Sequence, residues 1–160
     1  MMPSMLEIFY KIIQASKFRE FLDEYHFELT YARYDYSPRN YEVSAIIFES
    51  SHKCSIEFVY PRGTVDIYIG PKSSDFLSTD WLHIDHIVAY LTKRPVVPWY
   101  GSKFFREKDL LEDILQNLYE MFIPHAQEIV SIFQNNDRKL IEDIKEYANK
   151  SLRAGNLFSG

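Results

Sequence analysis

Residues 54–70 read CSIEFVYPRGTVDIYIG, and the way this stretch folds back on itself decides the architecture. Apolar and polar side chains alternate on both sides of a Pro-Arg-Gly turn signal, the period-2 pattern of two half-buried strands. With Arg62 and Gly63 as the turn residues, Ile56 faces Ile69, Phe58 faces Ile67 and Tyr60 faces Val65. One side of the hairpin is then wholly apolar. The other side sets Glu57 opposite Tyr68 and Val59 opposite Asp66. A turn at Pro61–Arg62 keeps the apolar side but sets Glu57 opposite Asp66, and like charges directly opposed destabilise a sheet. The first register is the expected one, unless a cation or a basic partner sits on the carboxylates.

Working outward, YEVSAIIFES (41–50) reads as the strand before this hairpin, with SSHKCS as the tight turn into it. Phe27, Leu29 and Tyr31 alternate with polar residues and make a strand before that, closed by a turn at SPRN (37–40), where Pro38 fixes φ and Asn40 tolerates turn geometry. Short connections favour an antiparallel meander.

Toward the N-terminus the period becomes 3.6. Leu6, Ile8, Phe9, Ile12 and Ile13 form a helical stripe behind a Ser4/Glu7 capping box. A second short helix, KFREFLDEY, follows with Ser16 as its cap and buries Phe18, Phe21 and Leu22.

Toward the C-terminus, Asp80 can cap a helix running to about Lys93. Pro95 and Pro98 make RPVVPWYGS (94–102) irregular. A long helix from about Phe104 carries the stripe Leu111, Ile114, Leu115, Leu118, Met121 and Phe122, and Pro124 should kink or break it. AQEIVSIF continues the pattern to Asn135 or Asn136. Asp137 caps a last helix with Leu140, Ile141, Ile144, Tyr147 and Ala148 on its stripe, and Gly155 suits a stop. The predicted fold is α+β: a four-stranded antiparallel meander with helices from both termini packed on one face. It forms one domain over 1–160, with N-terminal helices in 1–24, the sheet in 25–70 and a helical part in 80–152. Covering one face leaves the second partly open to water or to a partner.

Composition narrows the function. A chain of 160 residues with 46% apolar and 26% charged side chains is an ordinary globular domain. One cysteine, Cys54, forms no internal disulfide and no Cys-rich zinc site, which points to a reducing, cytoplasmic compartment. The start, MMPSMLEIFYKII, predicts no secretory signal, and no stretch free of charged residues exceeds eight, which predicts no membrane span. The net charge is −5, and the candidate basic patch is small: Lys93, Arg94, Lys103, Arg106 and Lys108. That balance argues against nucleic-acid binding.

Four constellations carry candidate chemistry. In DWLHIDHIVAYL (80–91), a helix puts His83 and His86 on the face opposite Trp81, Ile84, Ile87, Val88 and Leu91. Their spacing is i, i+3, Asp85 turns away, and a metal needs three or four ligands, so a solvated or partner-contacting helix face is the simpler reading. Glu57 and Asp66 lie on the non-core side of adjacent strands. They could perform acid–base chemistry or hold Mg²⁺, but a solvated acidic face explains them as well. On a strand His52 and Cys54 would point the same way and could make a nucleophilic pair, but SSHKCS reads as a tight turn, which argues against it. Trp99 and Tyr100 stand in a rigid loop between bases, where aromatics either anchor a partner or plug the core. No P-loop, nucleophile-elbow or dinucleotide glycine pattern is present, and no cofactor is expected.

FLDEYHFEL (21–29), then VSAIIFESSHKCSIEFVYPRGTVDIYI (43–69), then helices, is similar to the pattern of many small cytoplasmic α+β proteins of bacterial toxin–immunity loci. The resemblance covers roughly residues 17–93 and carries no functional residue across. It implies a non-catalytic protein that binds and blocks a cognate toxin. The leading expectation is therefore an immunity-like inhibitor of a protein partner. Were that partner a basic toxin such as a nuclease, Glu28, Glu57 and Asp66 would steer it, and Tyr68, Trp99 and Tyr100 would add contact area. The competing expectations are a small metal-assisted hydrolase, using Glu57 and Asp66 or His83 and His86, and a structural subunit. The latter would form a homodimer through the stripe on residues 111–122.

Overall fold

A computed structural model describes residues 4–36, 42–51, 53–60, 65–72, 81–96 and 111–158. The elements run α1 (Met5–Ala15), α2 (Phe18–Glu24), β1 (Phe27–Tyr36), β2 (Glu42–Ser50), β3 (Cys54–Tyr60), β4 (Asp66–Pro71), β5 (Leu82–His83), α3 (Ile84–Thr92), α4 (Leu111–Phe122), α5 (Ala126–Gln134) and α6 (Arg138–Phe158). The strands form one antiparallel sheet in the order β1-β2-β3-β4-β5. The sheet is thus a meander of five strands rather than four. The fifth is only two residues long, Leu82 pairing with Ile69 and His83 with Tyr68.

The β3–β4 hairpin adopts the register that avoids opposed carboxylates. Ile56 pairs with Ile69, Glu57 with Tyr68, Phe58 with Ile67 and Val59 with Asp66. Ile46, Phe48, Ile56, Phe58, Ile67 and Ile69 all point to one side and are buried there. That side receives Phe9 and Ile13 of α1, Phe18, Phe21 and Leu22 of α2, Leu115 and Phe122 of α4, and Ile129 and Phe133 of α5 in one continuous core. Aromatic edges fill it: Phe18 meets Phe58 at 5.3 Å and Phe21 meets Phe122 at 4.9 Å between centroids, both nearly perpendicular.

Local chemistry sets most of the boundaries. Ser4 Oγ accepts from the Glu7 N–H at 3.2 Å and opens α1. Ser16 Oγ donates to the Ile13 carbonyl and accepts from the Phe18 N–H, so one hydroxyl closes α1 and leads into α2, whose capping position is Lys17. Pro124 lies in a 3₁₀ turn, Ile123–His125, that separates α4 from α5. Asn136 takes φ 49° and Asp137 Oδ1 accepts from the Leu140 N–H at 3.2 Å, which starts α6. That helix continues through Gly155 to Phe158. A lone glycine costs about 1 kcal/mol in a helix and does not by itself stop one.

Three expectations change. The helix predicted from Asp80 begins at Ile84, because Leu82 is drawn into the sheet and His83 becomes the residue before the first turn. Asp80 itself lies outside the described residues, as do 37–40, His52, Arg62, Gly63, and the whole of 97–110. In β1 the simple alternation breaks at a bulge between Leu29 and Tyr31. Leu29 pairs with Phe48 on the core side, while Tyr31 pairs with Ile47 and turns to the outer side. The outer face is also less open than one-sided packing implies: Ala45, Ile47 and Ser55 are buried on it.

The stripe proposed for a homodimer is consumed within the chain. Leu111, Ile114, Leu115 and Phe122 are buried, and Leu118 and Met121 pack against the same core. A satellite core joins α3 to α6 through Ala89, Val96 and Ala148, with Tyr147 and Leu152 alongside. Tyr147 Oη donates to the Arg94 carbonyl at 2.7 Å, and the Val96 N–H donates to Ser151 Oγ at 2.7 Å, so α6 holds the segment that leaves α3.

Candidate functional site

The β3–β4 register and the short fifth strand bring two of the candidate groups together. Period-2 geometry puts Glu57 on β3, and Asp66 and Tyr68 on β4, on the outer face of the sheet. Pairing of His83 with Tyr68 adds the first histidine to that face. The first turn of α3 then brings His86 beside it. The Tyr68 and His83 rings lie 4.3 Å apart between centroids, and the His83 and His86 rings 4.9 Å apart. His83 Nε2 is 3.9 Å from Asp66 Oδ1.

The histidine pair is therefore not the solvated helix face that its spacing suggests. His83 is on a strand, both rings are partly buried, and a carboxylate from β4 faces them. Burial dominates their electrostatics. It lowers the His83 pKa against the opposing pull of Asp85. It lowers His86 to about 4, helped by the neighbouring His83, while Asp85 and Asp66 pull the other way. Burial raises Asp66, with His86 opposing. All three groups are biased toward their neutral forms. Neutral imidazoles are competent metal ligands and hydrogen-bond acceptors, yet among the described residues no group of three His, Cys, Asp or Glu side chains is arranged to hold a metal ion.

Asp85, on the other side of α3's first turn, takes the Arg94 guanidinium at 2.5 Å. That pair ties the start of α3 to the chain that leaves it. Lys93 lies over the Tyr90 ring at 4.2 Å. Two of the five bases of the candidate basic patch are thus engaged locally, and Lys103, Arg106 and Lys108 lie outside the described residues.

Glu57 and Asp66 sit on neighbouring strands but are not directly opposed. Glu57 faces Tyr68 and Asp66 faces Val59, so the two are diagonal neighbours whose backbone positions are roughly 7–8 Å apart. Cys54 starts β3 fully buried, and burial pushes its thiol up to about 12, the opposite of what a nucleophile needs. Trp99 and Tyr100 lie outside the described residues.

Glu28 was a candidate from the sequence, but two contacts of this face were not read there. Glu28 on β1 stands directly opposite Glu49 on β2, on the outer side. Neither makes an ion pair within the described residues, and Glu28 is exposed. Trp81 lies flat over Gly70, and a Cβ at position 70 would come within 2.9 Å of the indole. Trp81 Nε1 and the hydroxyl of the neighbouring Ser55 are buried without hydrogen-bond partners. The sequence held a signal for the first: Glu28 and Glu49 are each one residue from a core phenylalanine, so pairing the phenylalanines' sides fixes the glutamates' side.

No family model, no curated protein and no solved structure matches the chain. No helix among the described residues is long and apolar enough to cross a membrane.

Proposed function

We propose that the protein is a non-catalytic binding protein, an immunity-like inhibitor that meets a basic surface of a protein partner with acidic side chains on the outer side of its sheet, Glu28 and Glu49 foremost. The observation that carries this reading is the Glu28–Glu49 pair. Two carboxylates directly opposed across a ladder cost stability, and neither makes an ion pair within the described residues. Glu57 on β3 lies diagonal to Glu49 on the same face, since Glu49 pairs with Ser55 and Glu57 with Ile47. A partner that brings lysines or arginines to this face relieves the repulsion on binding, so the cost of the free state becomes affinity for the complex. The same charges accelerate encounter with a basic partner by long-range attraction. Tyr68 supplies apolar contact area opposite Glu57, held by its stack on His83.

The test is affinity capture from the lysate of the native cell at low and high salt, with bound proteins quantified by mass spectrometry. One dominant, stoichiometric basic protein released by salt is the expected result. Absence of any such partner at either salt contradicts the reading.

A further inference from the structure

We infer that β5, together with Trp81 before it, is an acid-sensitive strap: once His83 and His86 both carry a proton, Trp81–His83 lifts from β4 while the rest of the fold stays closed. Three observations meet at this one place, and none of them depends on the proposed function.

The attachment is weak. β5 is held to β4 by two residue pairs, Tyr68 with His83 and Ile69 with Leu82. Trp81 lies over Gly70, and Gly70 pairs with Ser55. The indole Nε1 and the Ser55 hydroxyl are both buried there without hydrogen-bond partners. Lifting the strap returns both groups to water, which offsets part of the packing that Leu82 and the indole lose. A short edge strand over unsatisfied polar groups is where a fold opens locally.

The element behind the strap is anchored independently. Ile84, Ile87 and Val88 of α3 are buried in the main core, and Ala89 is buried with Ala148 of α6. Tyr147 of α6 also holds the Arg94 carbonyl. Opening therefore stops at the start of α3, and His83 departs while His86 stays.

The charges around the pair balance one proton, not two. The two imidazoles lie 4.9 Å apart between centroids, and Asp66 Oδ1 is 3.9 Å from His83 Nε2. Asp85 is already held by Arg94, and Glu57, one strand further in, faces Tyr68. Asp66 can thus balance a proton on His83, and a second proton on His86 repels the first. Separation of the two rings relieves that repulsion. The linkage has the same sign. Burial lowers both histidines, His86 to about 4, so the hydrated rings of the open strap bind more protons than the closed pair. Opening is favoured as the pH falls from 6.5 toward about 4, against the opposing pull of Asp66, whose raised pKa favours the closed state in acid.

The test is amide hydrogen exchange by NMR from about pH 7 to about pH 4.5, corrected for intrinsic rates, with the β2–β3 amides as the reference for global unfolding. Protection of the amides between β4 and β5 should fall roughly tenfold further than that of the reference. His86→Gln should remove most of this extra loss. Asp66→Asn should enlarge it, because it removes the carboxylate that balances His83. The reference amides report whether each variant is folded, and the opposite expected signs keep a general loss of stability from imitating both. Protection between β4 and β5 that falls only in step with β2–β3 overturns the inference. An extra loss that is unchanged in His86→Gln overturns it equally.

Discussion

The imidazole of His83 stands 4.3 Å from the ring of Tyr68, across a strand pairing only two residues long. This contact, with His86 stacked behind it at 4.9 Å, fastens the start of α3 to the edge of the sheet. Double protonation opposes this contact, because two imidazolium ions at that separation repel each other.

Stability should therefore fall in mild acid. His86 is lowered to about 4 from 6.5, so the unfolded chain binds more protons in that interval. Its contribution is present above pH 6.5 and is lost as the pH falls toward about 4, at most about 3 kcal/mol less the share that solvent screens. His83 acts in the same direction. Asp66 acts oppositely, since its raised pKa penalises the fold above that pKa and relaxes as it protonates. Urea unfolding at a series of pH values should show a net fall that is shallower in His86→Gln. An unchanged slope in that variant would show that the pair is not the source.

Gly70→Ala should destabilise by about 1–3 kcal/mol, because the new methyl must displace an indole ring packed on the sheet. Trp81→Leu should recover part of that loss in the double variant. Strict additivity of the two changes in thermal unfolding would argue that the added methyl and the indole do not meet.

Ser55→Ala has the opposite expected sign. The hydroxyl is buried without a partner, and removing it relieves a desolvation cost. The variant should be neutral or more stable by up to about 1 kcal/mol. A clear loss of stability would mean that the hydroxyl is bonded in solution.

The Cys54 thiol should not react with a disulfide reagent in the folded protein at pH 8, since it is buried and pushed up to about 12. Reaction should appear only with unfolding, and at the unfolding rate. Rapid stoichiometric labelling of the native chain would contradict the burial.

The β3–β4 hairpin was legible in the sequence because two independent preferences agree on it. Alternation chooses the face, and repulsion between Glu57 and Asp66 chooses the register. The turns at Pro124 and Asn136 were legible because their backbone chemistry is local. The β1 bulge and β5 were not. A two-residue strand is too short to show a period, and the apolar residues around His83 fit a helix equally well. The bulge arises from pairing with β2, which no residue of β1 encodes alone. The histidine cluster followed the same limit: Asp66 and His83 are seventeen positions apart, and only β5 brings them together.

The most direct measurement of the central claim is the association rate of the captured partner with the native chain and with Glu49→Lys/Glu57→Lys, at low and high salt. An acidic outer face that steers and holds a basic protein predicts at least a tenfold slower association for the variant at low salt, with the gap closing as salt rises. Equal rates and equal affinities for the two proteins would place the interface elsewhere and contradict the account.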